Sequence, residues 1–364
     1  MARPLDDVAL FRHLPALVGQ VPWQRLGDWP TPVEEAPAIG AAIGADVWIK
    51  REDRSSPRYG GNKVRTLEAV FGRAVDAGAH RIWATGAYGS NHAVATVLHA
   101  ATAGLGAGAI LFPQPATATA RGNLRAMLSV RPAVVRLASV IALPFAMRRL
   151  RGPGEYVMPP GGATPEGTFG AASAALELAE QVARGACPAP ARLVVACGST
   201  CTTAGLLAGL RLAGELGVGF TPQTVPLVTA VRVTPWPITD AHRIALLALR
   251  TTRLLDRLRG HDSGADLSRL RAGLDVDGDE LRAGYGRVTA RGVRAAALFA
   301  RHGGPPLDVV YSAKSAAALL RIAPATRGPV LFWATKSSAP LPGCAPDAIA
   351  DLHPALRRWL ATPA

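Results

Sequence analysis

The feature that most constrains this chain is an alternation repeated along most of its length: an apolar run, a turn rich in glycine or hydroxyls, then a helical stretch. Strands are predicted at 47–50, 81–85, 107–112, 133–137, 192–197, 227–233, 308–311 and 330–334. Between them, helical spacing predicts helices at 38–43, from Lys63 through Val64, Leu67, Phe71 and Ala74, and onward from His92 through Val94, Val97, Leu98 and Ala101. Further helices are predicted at 118–129, 139–150, 165–184, 203–216, 240–257, 289–302, 314–321 and 347–360, with a polar loop at 258–280. Several of the apolar runs are continuous rather than alternating, as in strands covered on both faces, and parallel strands need helical crossovers. The expected fold class is therefore α/β, with two open, mostly parallel sheets flanked by helices. Residues 1–45 read as Pro-rich and irregular around that short helix, and Pro159-Pro160-Gly161-Gly162 breaks the series at a crossing between domains.

In open α/β sheets ligands collect at the carboxyl ends of strands, so the strand-to-helix turns are where chemistry is expected. Only four of the 40 basic residues are lysine: Lys50, Lys63, Lys314 and Lys336. Arginine carries the same charge but does not lose a proton or attack a carbonyl, so a chain this poor in lysine keeps it where an amine is needed. Lys63 alone follows a glycine pair and opens a helix, in Gly60-Gly61-Asn62-Lys63. The turn 198–205, Gly-Ser-Thr-Cys-Thr-Thr-Ala-Gly, offers hydroxyls and a helix amino end, which suit a phosphate. It lacks both the GK[ST] ending of a P-loop and the dinucleotide GxGxxG. A second turn presents Ser90, Asn91 and His92, and a third stretch presents Tyr311 and Ser312, with Tyr285 held between two glycines. Each also admits a structural role: Ser90, Ser199 or Thr202 as a helix cap, and Tyr285 as a packing residue.

The net charge of +14 raises a polyanion partner, but the arginines are scattered without a run or aromatic interleaving, so no nucleic acid is expected. Cys187, Cys197, Cys201 and Cys344 lack paired metal spacing and read as reduced thiols, and no metal is expected. No window of about 18 apolar residues occurs, so neither a membrane span nor export is expected, and a cytoplasmic location follows.

An amine nucleophile, a phosphate cradle outside the nucleotide patterns and an amide suited to a ring hydroxyl together suggest pyridoxal phosphate. Lys50-Arg51-Glu52-Asp53, Gly60-Gly61-Asn62-Lys63-Val64-Arg65-Thr66-Leu67-Glu68 and Ser90-Asn91-His92-Ala93 resemble the 1-aminocyclopropane-1-carboxylate deaminase/D-cysteine desulfhydrase family, of tryptophan synthase β-like fold type II. The likeness continues through Gly122-Asn123-Leu124, Pro160-Gly161-Gly162, Gly198–Gly205, Gly284-Tyr285-Gly286 and Asp308–Ser315, covering about residues 30–335 in order. It implies a large cofactor-binding domain of residues 1–58 and 164–364 and a small one of 59–163.

The resemblance makes Lys63 the Schiff-base lysine and proton carrier, with Asn91 at the cofactor's ring hydroxyl and Ser90 either holding the substrate carboxylate or acting at the substrate. Gly198, Ser199, Thr200, Cys201 and Thr202 hold the phosphate, Tyr285 and Tyr311 flank the substrate, Ser312 faces the pyridine nitrogen, and Thr335 reaches the ring. Two departures stand out. Deaminases of the family carry Glu where Ser312 stands, and the family's His-Thr-Gly-Gly is replaced by Ala334-Thr335-Lys336-Ser337. The implied activity is that of a lyase on a small amino acid, losing a β-substituent to give a 2-oxoacid and ammonia, with D-cysteine or a close analogue as substrate and a homodimer as the assembly. Two other readings stand beside it: a biosynthetic relative performing β-replacement or elimination on a bulkier amino acid, and a non-catalytic cofactor or polyanion binder.

Overall fold

The computed structural model describes residues 5–281 and 284–362; residues 1–4 of the segment expected to be irregular lie outside them. The strands are β1 (Val33–Glu35), β2 (Val47–Lys50), β3 (Arg81–Ala87), β4 (Gly106–Phe112), β5 (Ala133–Arg136), β6 (Glu155–Val157), β7 (Arg192–Cys197), β8 (Leu227–Arg232), β9 (Leu274–Asp277) and β10 (Val330–Trp333). They form two sheets, in the orders β1-β2-β10-β7-β8-β9 and β5-β4-β3-β6. Every described pairing is parallel except β1 with β2. All four strands of the smaller sheet fall between β2 and β7 in the sequence, so the chain leaves the larger sheet, builds the smaller one and returns.

The continuous apolar runs are explained by burial on both faces. On β7, Leu193, Val195 and Cys197 enter one core and Val194 the opposite one, each core being completed by helices. The smaller sheet repeats this, with Ile82, Ala84, Ala109 and Leu111 on one side and Trp83 and Ile110 on the other. Leu352, Leu356 and Leu360, near the C-terminus, pack into the smaller sheet's core.

Four expectations are corrected. Residues 308–311 are a turn rather than a strand, because the Asp308 carboxylate accepts from the backbone N–H groups of Val310, Tyr311 and Ser312 at the start of helix Ser312–Ile322. The polar loop at 258–280 contains helix Leu267–Ala272, capped by Asp266, and strand β9. The C-terminal helix is two short helices, Pro346–Ala350 and Pro354–Ala361, since Pro354 has no N–H to continue the first. The predicted basic helix at 139–150 begins with a 3-10 turn, Val140–Ala142, followed by helix Leu143–Arg149.

Candidate active site

The Gly60–Lys63 loop is fixed from both sides. Gly61 adopts φ +92°, and a Cβ there would lie 2.6 Å from the Thr335 carbonyl oxygen, so glycine permits the close approach of the segment leaving β10. Gly61 bridges Lys336, and the Asn62 N–H donates to the Thr335 carbonyl at 3.3 Å. On the other side Asn62 Nδ2 donates to Thr202 Oγ1 at 2.8 Å, joining the loop to the turn after β7. Lys63 opens helix Lys63–Asp76, and its Nζ lies 3.4 Å from Ser199 Oγ. Burial lowers its pKa, opposed by the neighbouring thiols of Cys201 and Cys197. The amine is thus shifted toward the neutral form that a nucleophile requires.

The turn 198–202 carries β7 into helix Cys201–Leu216. Thr200 sits at the N-cap with φ +72°, unusual for a residue with a Cβ, and no side chain caps the helix. Neither Ser199 nor Thr202 therefore plays the capping role open to it. The first-turn amides and the positive end of a 16-residue helix are left for an anion. The Gly198 carbonyl accepts from Thr234 Oγ1 at 2.8 Å and Thr239 Oγ1 at 2.6 Å, which holds the turn in place. Cys201 sends its thiol to the Gly162 carbonyl at 3.3 Å, so only its backbone can serve a ligand at this turn.

Ser90 caps helix Asn91–Ala100, accepting from Ala93 N–H at 3.3 Å. Its structural role is therefore real, and among the described residues no acceptor takes its hydroxyl hydrogen. Asn91 Oδ1 accepts from Tyr59 OH at 3.0 Å and Asn123 Nδ2 at 2.7 Å. Lys336 Nζ in turn donates to Tyr59 OH at 3.0 Å and Asn123 Oδ1 at 3.2 Å. His92 is buried with neither ring nitrogen partnered among the described residues; burial and the Lys63 charge push its pKa down to about 3.

Tyr285 and Tyr311 meet hydroxyl to hydroxyl at 2.5 Å, their rings edge to face. Burial pushes Tyr285 up to about 12 and Tyr311 well above its ordinary value, so both remain phenols at neutral pH. Tyr311, Asn91, Asn123 and Asp308 line one cleft. Ser312 is fully buried; its hydroxyl donates to Asp308 Oδ2 at 3.0 Å and accepts from the Asp308 N–H at 2.7 Å. A contact with a ring nitrogen would have to draw that hydrogen away from Asp308. Thr335 is buried, with its carbonyl on the Asn62 N–H.

Tyr59 was missed, and Asn123 and Lys336, noted in the sequence as a motif residue and a departure, had no contact assigned to them. Tyr59 stands directly before the glycine pair, which is the one local sign of its place; the other two are brought in by the sheet order.

A family profile described as "Pyridoxal-phosphate dependent enzyme" matches residues 24–335. The chain belongs to this family. It is 31% identical over 320 residues to D-cysteine desulfhydrase of Salmonella paratyphi C, covering 83% of this chain and 90% of that one. Over 181 residues it is 41% identical to nocardicin C-9' epimerase of Nocardia uniformis subsp. tsuyamanensis, covering 46% of this chain and 54% of the epimerase. The first three curated relatives are matched over 54%, 62% and 60% of their own lengths. Among solved structures, an ACC deaminase homologue superposes with TM-score 0.72 at 27% identity, covering 90% of this chain and 94% of that one. Threonine deaminase isoform 2 of Solanum lycopersicum, at 16% identity and TM-score 0.54, covering 93% of this chain and 86% of that one, shares the fold alone. The fold is that of the fold type II pyridoxal-phosphate enzymes, as the sequence led us to expect.

The residues present fit the family's cofactor. An uncapped helix amino end supplies amides for a dianion, and Asn62 already ties the lysine loop to that turn. At Gly161 a Cβ would lie 2.1 Å from Ser199 Oγ and 3.6 Å from Lys63 Nζ, so a side chain at residue 161 would collide with the turn beside the lysine amine.

Proposed function

We propose that this enzyme removes the α-proton of a small amino acid and expels its β-substituent, with D-cysteine or a close analogue as substrate and a 2-oxoacid and ammonia as final products. The observation that carries this reading is Lys63, a buried amine with lowered pKa that lies 3.4 Å from Ser199 Oγ, beside Gly161 and the turn into an uncapped helix end. Bound pyridoxal phosphate supplies an aldehyde for an amine and a conjugated ring that accepts the electron pair left at the α-carbon.

Lys63 would hold the cofactor through its amine and then serve as base for the α-proton. Gly198, Ser199, Thr200, Cys201 and Thr202 would hold the phosphate, mainly through backbone amides and the two threonine hydroxyls. Asn91 would donate to the ring hydroxyl through Nδ2. Ser90, with its hydrogen uncommitted, would bind the substrate carboxylate, and the Tyr285–Tyr311 pair would flank the substrate and hand a proton to the leaving group. Thr335 would contact the ring. Ser312 would meet the ring nitrogen only as a neutral group, since its hydrogen is shared with Asp308; a neutral partner gives a weaker electron sink than a carboxylate. We therefore expect 2-oxoacid from D-cysteine or β-chloro-D-alanine and at least about tenfold slower turnover of 1-aminocyclopropane-1-carboxylate, whose ring opening needs the stronger sink. Efficient turnover of the cyclopropane substrate without elimination would overturn the assignment.

A second reading is favoured by a specific observation: an additional amine, Lys336, stands in the site, and one relative is named an epimerase. Here the α-proton would be removed and returned to the opposite face of a bulkier amino acid. Incubation in deuterated water separates the two: label at the α-carbon with inversion and no 2-oxoacid marks epimerisation.

We place the enzyme in the cytoplasm as a homodimer. Cysteines that form no disulfide among the described residues and the family's small-molecule chemistry support the location, while light scattering would test the assembly. The division into residues 1–58 with 164–364 and 59–163 is supported by the smaller sheet's lying wholly within 81–157, and residues 352–360 pack across that division.

A further inference from the structure

Lys336 ends a chain of hydrogen bonds whose direction it dictates. As an ammonium it offers donors only, so both groups it touches must accept: Tyr59 through its hydroxyl oxygen at 3.0 Å and Asn123 through Oδ1 at 3.2 Å. With its oxygen accepting from Lys336, Tyr59 sends its single hydrogen to Asn91 Oδ1 at 3.0 Å. Asn123, its carbonyl turned to Lys336, sends Nδ2 to Asn91 Oδ1 at 2.7 Å and to the Gly89 carbonyl at 2.9 Å. A flipped Asn123 would set its amide hydrogens against the ammonium. Asn91 Oδ1 is consequently filled twice, and among the described residues Asn91 Nδ2 has no protein partner. Burial lowers the Lys336 pKa, and the Asp308 carboxylate and the Tyr59 ring, 4.9 Å from the amine, offset part of that cost.

We propose that Lys336 is a positioning residue that locks Asn91 into a donor-only orientation, so that the enzyme holds the cofactor's ring oxygen as an oxyanion rather than a hydroxyl. This rests on the reading that Asn91 meets the ring hydroxyl. A glycine at this position, as in the family's His-Thr-Gly-Gly, would leave Tyr59 and Asn123 free to reverse; Asn91 could then turn Oδ1 toward the ring and accept its proton. Lysine removes that alternative without itself touching the ring.

The test is the absorption spectrum of each variant purified and saturated with pyridoxal 5'-phosphate. The ratio of the visible band to the near-ultraviolet band of the neutral tautomer reports the ring oxygen's protonation. Lys336→Met should lower that ratio roughly tenfold, the usual worth of a hydrogen bond involving a charged group, and Lys336→Arg, also donor-only, should largely restore it. Tyr59→Phe keeps Lys336 and removes one arm of the relay, so it should shift the ratio in the same direction and gives the same reading if Lys336→Met does not fold. Asn91→Ala separates the two levels of inference. If it changes the ratio while Lys336→Met and Tyr59→Phe leave it unchanged, the relay is overturned and the site reading stands. If Asn91→Ala also leaves it unchanged, Asn91 does not meet the ring and both fail. A borohydride-reduced adduct on Lys336 would likewise overturn the positioning role.

Discussion

At the scale of single residues, the structure divides four lysines among four environments. Lys50 is fully buried and donates to Glu177 at 2.5 Å and to the Thr31 carbonyl and Gln181 at 2.8 Å each, which makes it a structural ion pair. Lys314 is buried with an amine that lacks a partner among the described residues. Lys336 donates to Tyr59 and Asn123, and Lys63 Nζ lies 3.4 Å from Ser199 Oγ beside Gly161, where a Cβ would overlap that hydroxyl. Lysine scarcity alone could not sort them; the glycine pair before Lys63 did, because it marks backbone that must pass close to another segment. Lys63→Ala is expected to retain some cofactor through the phosphate turn but to lower turnover by about 10³-fold or more, as loss of nucleophile and base together implies. Borohydride reduction of the wild type followed by peptide mapping should place the adduct on Lys63, and an adduct on Lys50 or Lys314 would remove the basis for the site.

At the scale of elements, the helix Cys201–Leu216 matters through its first turn. Thr202→Val removes a hydroxyl that accepts from Asn62 Nδ2 and faces the phosphate turn, so cofactor affinity should fall roughly tenfold with the fold intact, as for one charge-assisted hydrogen bond. Equilibrium dialysis measures this, and an unchanged affinity would put the phosphate elsewhere. Gly161→Ala should weaken binding further, since the methyl group would overlap Ser199 Oγ. The sequence revealed the strands that are apolar and flanked by clear turns: β2, β3, β4, β5, β7, β8 and β10. The ones it missed, β1, β6 and β9, are short edge strands carrying Glu or Asp, where one side is unpaired and the apolar pattern lapses. The segment 308–311 looked like a strand because Val309-Val310 favours one, yet the Asp308 carboxylate claims the backbone N–H groups that a strand would pair. The motif residues of the site were legible for the opposite reason, as glycine and hydroxyl turns leave local signatures. The Lys336 relay was not, because its contacts join residues 277 and 213 positions apart and are set by β10's lying beside β2.

At the scale of the whole molecule, buried charge joins segments distant in sequence. Glu177 accepts from Lys50 and from Arg65 at 2.9 Å, Arg65 also donates to Glu52 at 2.8 Å, and the Arg65 guanidinium lies 3.5 Å from the Trp29 ring centroid. The N-terminal segment, the larger sheet and the lysine helix are thus bound to helix Phe169–Ala183. Removing one partner strands the others, so Glu177→Ala should cost about 3–5 kcal/mol, measured by denaturant unfolding. Acid should act at two places. Against the burial cost, Arg65 and Lys50 hold Glu177 down at about 2, from an ordinary 4.5, so its contribution is present above pH 4.5 and disappears as pH falls toward 2. His92 is a base held neutral, with a folded pKa of about 3 against an ordinary 6.5. Between those values the unfolded chain binds the proton and the fold does not, so stability is complete above 6.5 and declines as pH falls to 3, by about 1.4 kcal/mol per pH unit. Glu68, its carboxyl pushed up by burial, acts in the opposite sense, so the raw pH profile mixes the three. A paired comparison isolates the histidine: His92→Phe should lose clearly less stability than the wild type between pH 6.5 and 4.5, before Glu177 titrates, and parallel losses across that window would show that His92 does not stay neutral in the fold.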